Sequence, residues 1–173
     1  MPLRVETKLR GDPQVLIRQV EEVRMKMLNA LRAEGREVEK DYKKTTETWN
    51  RKVEFETKIA LGRTDPSPQV TVFTEDQIYG YLEYGTKAHP IVAKNAPRLV
   101  FQEGYEAKTE PRLIGSRAGG EYGAVVMPVA VQHPGFEARQ FSEVIKEKHE
   151  QPFHDRIEQA IAEGVAQAES KAK

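Results

Sequence analysis

The stretch YLEYGTKAHP, Tyr81 to Pro90, sets a Glu-Tyr-Gly-Thr turn a few residues before a His-Pro, and HPG at His133 to Gly135 repeats the second half of that arrangement. Read as chemistry, the two histidines are candidate ligands or bases, with Glu83 as a third polar group, and a His89/His133/Glu83 metal set is conceivable. Read as architecture, the same residues make two corners of a sheet. His89 precedes Pro90 and His133 precedes Pro134, so both are pushed to extended backbone. Gly85 supplies a positive φ or a close backbone approach, and Thr86 can cap the segment after it. Pro134 presets φ and leaves Gly135 free for a left-handed residue. The pattern lacks the compact spacing of HExxH, and the geometric role is favoured: extended X-Pro corners whose imidazoles bond neighbouring backbone.

Outward from this stretch the chain reads as helix, strands, helix. Leu3 to Leu9 alternates and predicts a short strand, then Asp12 and Pro13 fit the N-cap and first position of a helix. Leu16, Val20, Val23, Met27 and Leu31 recur at helical steps, continuing through Val38, Tyr42 and Trp49. This predicts one helix from about Pro13 to Thr48, bent or broken at Gly35, whose stripe serves as core or subunit contact. Lys52 to Ala60 and Gln69 to Thr74 alternate as an antiparallel pair around a turn punctuated by Gly62, Pro66 and Pro68. Glu75 to Tyr84 reads equally as a short helix or an extended segment. Ile91 to Ala93 and Leu99 to Phe101 predict strands around a Lys94 to Pro97 turn. AVVMPVAV, Ala124 to Val131, suits a sheet-interior strand with Pro128 at a bulge or edge. Phe141, Val144, Ile145, Phe153, Ile157, Ala160, Ile161 and Val165 line a final helical segment, which Pro152 should break or kink. The last eight residues, AQAESKAK, should fray. Glu103 to Gly123 is glycine-rich and poor in apolar residues, which predicts a long hairpin or excursion, mobile in the free protein.

The fold class expected is α+β, in a single domain. A long N-terminal helix and a C-terminal helical segment pack one antiparallel sheet of about five or six strands, with a long Gly-rich excursion. The length of 173 residues suits one domain. Lys plus Arg and Asp plus Glu are 27 each, so nothing supplies the basic excess of a dedicated nucleic-acid binder, and self-association is electrically easy. With no cysteine there is no disulfide, Cys-based zinc site or thiol nucleophile. No GxSxG, Walker-type loop or GxGxxG occurs, and Ser116 lies in the Gly-rich excursion, where rigid positioning is not expected. No apolar run approaches a membrane span and MPLRVETKLR does not read as a signal peptide, so the expectation is a protein made in the cytoplasm, with no cofactor and no membrane partner.

Taken as an ordered set, Glu83-Tyr84-Gly85-Thr86, His89-Pro90-Ile91, Leu99-Val100-Phe101 and His133-Pro134-Gly135, with Ala138-Arg139 and Phe141 opening a helix, resemble the tail-completion family of long-tailed double-stranded DNA phages, whose members are also described as neck, head–tail joining or minor tail-component proteins. The match spans roughly Ile78 to Ile145. Two features depart from the family pattern: the excursion is longer, and Gln140 stands where a proline commonly precedes the Phe. The resemblance implies a non-enzymatic virion protein of the neck or tail that assembles with itself as a ring, usually of six copies. Its partners would be connector or adaptor proteins on the head side and tail-tube or terminator proteins on the tail side. DNA would pass through the lumen without sequence-specific binding. Under that resemblance the two corners are fold signatures with subunit contact as a second role. Gly104, Tyr105, Arg112, Leu113, Ile114, Arg117 and Tyr122 of the excursion then form a candidate assembly loop. Three other readings stand beside it: a tail terminator capping the tube, a small metal-dependent hydrolase using His89 and His133, and a cellular adaptor unrelated to phage.

Overall fold

The stripe begun at Leu16 folds as α1, Pro13–Thr45, a helix of 33 residues. The computed structural model describes residues 13–62, 67–116, 119–120 and 123–171, so the expected strand at Leu3 to Leu9, the Asp12 cap, Pro66, Arg117 and Tyr122 lie outside the described residues. α1 runs unbroken through Gly35. A Cβ there would lie 2.8 Å from Thr57 Cγ2 and 3.5 Å from Val70 Cγ1, so the missing side chain is what lets a hairpin lie on the helix. That hairpin is β1, Glu56–Leu61, antiparallel to β2, Pro68–Phe73, with Ile59 opposite Val70.

The ambiguous segment is helical: α2 spans Gln77–Tyr84, and its N-cap Asp76 accepts a hydrogen bond from the Tyr79 amide at 2.9 Å. Four short strands follow: β3, His89–Val92; β4, Phe101–Gln102; β5, Val125–Val126; and β6, Ala130–His133. The single sheet of five or six strands is not formed. The described strands make three two-stranded sheets, β1–β2, β3–β6 and β4–β5. Ile91 to Ala93 and Leu99 to Phe101 do not pair with each other across their turn. Both pair with the returning arm, Ala93 N–H donating to Val129 O and Leu99 N–H to Pro128 O. Pro97 and Pro128 carry no amide donor, so the ladder is interrupted where the two arms meet them. The result is a two-stranded ribbon in two legs, leaving Val125, Met127 and Val129 exposed rather than sheet-interior.

The excursion is not a free loop over its described part. Lys108 Nζ donates to Thr48 O at 2.8 Å, the Ser116 hydroxyl donates to Lys44 O, and Thr109 is buried. The ribbon's far end is thereby held against the C-terminal end of α1.

The final helix, α3, runs Phe141–Lys171 with Pro152 inside it. Expected to break or kink at that proline, it continues, and the expected frayed tail is helical to Lys171. An interior proline costs about 3 kcal/mol, and contacts with α1 on both sides of it offset that. Before it, His149 Nδ1 lies 2.6 Å from Glu34 Oε1 and His149 Nε2 lies 2.8 Å from Asp41 Oδ2. After it, Arg156 Nε lies 3.0 Å from Glu34 Oε2, and Ile157 and Ala160 pack with Met27 and Leu31 in one of two apolar clusters. The second cluster, Val53, Phe55, Tyr79, Phe141 and Ile145, joins α1's C-terminal end, α2 and the start of α3. Asp41 is buried, and burial alone would raise its pKa. Hydrogen bonds from Lys148, Lys44 and His149 outweigh that and hold it well below the usual carboxylate range.

Candidate functional site

The two motifs that framed the sequence reading occupy one place. Gly85 has φ 73° and Gly135 φ 80°, so both adopt the left-handed region that L side chains avoid. A Cβ on Gly85 would lie 2.7 Å from Ala138 N and 2.8 Å from Phe136 O. One on Gly135 would fall on the carbonyl oxygen of Thr86. Each corner is therefore packed against the backbone of the other. Thr86 and Phe136 exchange both amide hydrogen bonds, at 3.0 and 3.1 Å.

Helix ends meet at the same place. The α2 carbonyls of Leu82 and Glu83 accept from the amides of Arg139 and Gln140 at 2.8 and 3.3 Å. In return the Glu83 carboxylate accepts from the Phe141 amide at 2.9 Å and the Ser142 amide at 3.1 Å, capping α3. A carboxylate at a helix N-terminus satisfies orphan donors and complements the dipole. Gln140 has φ 53°, which proline's ring forbids, so the backbone geometry excludes a proline at this position.

His89 and His133 are register partners, their rings stacked at 5.1 Å between centroids. His89 Nδ1 lies 2.8 Å from Lys87 O, which can only accept, so that nitrogen carries its proton. His133 Nδ1 lies 2.9 Å from the Gly135 amide, which donates, so that nitrogen is the acceptor. The structure brings the two histidines together but commits Glu83 to α3. The His89/His133/Glu83 set is not assembled, and among the described residues no group of three or more potential ligands forms.

Of the remaining sequence candidates, Phe141 is fully buried under Tyr79, while Tyr84 stands exposed. Pro90 lies in β3 opposite Gln132, and Pro134 lines a groove beside the corner. In the excursion, Gly104 has φ 74°, Leu113 is exposed and Ile114 packs on the second apolar cluster. Arg112 is drawn to α3, its amide donating to Arg139 O and its guanidinium reaching Glu143 and Glu147 at 3.3 and 3.2 Å. Those pairs are half exposed and contribute about 0–1 kcal/mol each.

The groove, 840 Å³, runs between the double corner and the first part of the excursion, Tyr105 to Thr109. Trp49, Ile78, Leu82 and Phe136 supply its apolar wall, with Tyr105 at the excursion side. Arg51, Lys108 and Arg139 supply positive charge, and no Asp or Glu is among the described residues lining it. Arg139 is only 8% exposed. Among the described residues its side chain makes no ion pair, and its Nε has no hydrogen-bond partner. The sequence singles out Arg139 only as part of the resemblance and gives no sign that Trp49 and Lys108 converge with it from three separate segments. The buried pair Glu34 and Asp41 does leave a signal, since a spacing of seven puts both on one face of α1.

No family model, curated protein or solved structure matches the chain.

Proposed function

We propose that the protein is a structural component of a long-tailed phage particle, assembling with its own copies as a ring at the head–tail interface to complete the tail or join it to the head. The observation that carries this reading is the interlocked double corner. The ordered motifs that resemble the tail-completion family are spent on holding α2, the ribbon and α3 together, through Gly85, Gly135 and the Glu83 cap. The hydrolase reading loses its third ligand to that same cap. A subunit of this kind needs a rigid centre and apolar surface left for neighbours, and the start of α1 together with Val125, Met127 and Val129 supplies such surface. A closing ring uses heterologous contacts, in which different patches of successive copies meet.

Electron microscopy of a lysate from a phage lacking this gene tests the reading. Filled heads and separate tails that join when the purified protein is added are the expected result. Normal infectious particles would overturn it. Overlong or ragged tails would instead assign the chain to termination of the tube.

A further inference from the structure

We propose that the groove between the double corner and the excursion binds an extended acidic–apolar peptide segment of a partner protein, with one carboxylate seated on Arg139 and flanking apolar side chains on Trp49, Ile78, Leu82 and Phe136. The inference does not rest on the ring reading, because it comes from the groove alone.

Burying a guanidinium without a partner is costly, and buried charges are as a rule paired. Arg139 departs from that rule: it is nearly enclosed, and among the described residues its Nε lacks a partner and no carboxylate lines the groove it faces. The other two cations of the lining are committed, Lys108 to Thr48 O and Asn50 Oδ1 and Arg51 to Asp76. Among the described residues the groove thus offers one uncommitted cation set in apolar wall. That is complementary to a single negative charge with apolar neighbours, and a carboxylate can accept from a guanidinium through two oxygens. A nucleic-acid strand presents a row of phosphates and needs a row of cations, which this groove and a chain of zero net charge do not supply. Its volume of 840 Å³ falls within the ~300–1,000 Å³ typical of sites that enclose ligands of short-peptide size.

Trp49 is the only tryptophan of the chain, so its emission reports on the groove wall. The full chain is titrated to millimolar concentration with acetyl-Leu-Asp-Phe-amide and, separately, with acetyl-Leu-Asn-Phe-amide, two probes of one shape that differ by a charge. The expected result is a saturable change in Trp49 emission with the Asp peptide and binding at least about tenfold weaker for the Asn peptide, the size of a charge-assisted hydrogen bond. Arg139→Met, checked for folding by circular dichroism, should erase that difference, and Lys108→Met should leave it largely in place. The comparison of the two peptides on the unaltered chain stands even if Arg139→Met does not fold. Equal binding of both peptides, or none by either, would overturn the proposal, as would discrimination that persists in folded Arg139→Met. Preference for an oligothymidylate over the Asp peptide would overturn it in favour of a phosphate ligand. Dissociation of a self-associated chain by the Asp peptide would overturn it in favour of a second copy as occupant.

Discussion

From Val23 onward α1 is covered: Leu31 is fully buried, and Met27 packs with it under Ile157 and Ala160 of α3. Over the preceding turns the same helix leaves Leu16, Ile17 and Val20 exposed at 48, 58 and 62%. The apolar stripe does not change between the two halves; what changes is whether a described residue packs on it. Lys171, the last described residue of α3, pairs with Glu22, so the helix that covers α1 reaches only that far. A helical hydrophobic pattern records that a face is to be covered and is silent about what covers it. In the covered half the answer is within the chain. In the first turns the apolar face rimmed by Arg18, Glu21 and Glu22 is a candidate interface.

The sharpest way to break this contrast is to cut into the covered half. Leu31→Ala should cost about 2–5 kcal/mol, the range for a fully enclosed leucine whose cavity cannot collapse. Urea unfolding followed by circular dichroism reads it, and a loss below 1 kcal/mol (about the average for any point change) would show that the α1–α3 seam is loosely packed.

The double corner is the next largest. Glu83→Ala should cost about 0.5–2 kcal/mol, the range for a lost helix N-cap. Glu83→Gln keeps an acceptor and should recover part of it. Hydrogen exchange at Phe141 and Ser142 would report the same loss locally, and unchanged protection there would mean that the cap does not hold α3's first turn.

A third effect is graded with pH. Asp41 is depressed from its ordinary value of 3.8 in the folded chain, so its contribution is fully present above that value. It is lost as pH falls through the lower folded value. The melting temperature should therefore drop on acidification below about pH 4, and Asp41→Asn should make the drop shallower. A variant with the unaltered slope would assign acid sensitivity to other carboxylates.

How far these features are legible in the sequence differs with their physical origin. Local chemistry is legible: α1, the β1–β2 hairpin, the glycine corners and the buried Phe141, Ile145, Ile157 and Ala160 of α3 come from periodicity and turn residues, although Ile161 and Val165, read as part of the same face, are exposed. Gly35 misleads because a close approach by another element looks, in sequence, the same as a helix weakness. Pro152 misleads because its cost is local while the His149 and Arg156 contacts that offset it reach residues more than a hundred positions away. AVVMPVAV suggests a sheet interior because eight apolar residues in a row fix no neighbour, and a two-stranded ribbon has faces that nothing covers. In the candidate site, Glu83 and the two histidines are visible as residue types. That Glu83 serves α3 rather than the histidines depends on a fold-back between Leu82 and Arg139 that no spacing encodes. That Arg139 Nε lacks a partner among the described residues is a property of three segments at once.

The smallest effect on the isolated chain carries the most information about the uncovered half of α1. Ile17→Ser and Val20→Ser remove apolar area from residues already in solvent, so each should change unfolding free energy by no more than about 0.5 kcal/mol. They also leave helix propensity nearly unaltered, since isoleucine, valine and serine rank together. A subunit interface answers differently, because there the same side chains pass from water into a packed seam and each contributes about 1.5–3 kcal/mol on full burial. Sedimentation of the purified chain, alone and with the double variant, separates the cases. Oligomers that dissociate in the variant, with monomer stability unchanged, would place a neighbouring copy on this face. Unchanged assembly would move the subunit contact elsewhere, with the exposed ribbon residues Val125, Met127 and Val129 next in line. Stability that falls by several times the expected amount would mean instead that this half of α1 is covered within its own chain, and the contrast between the halves would dissolve.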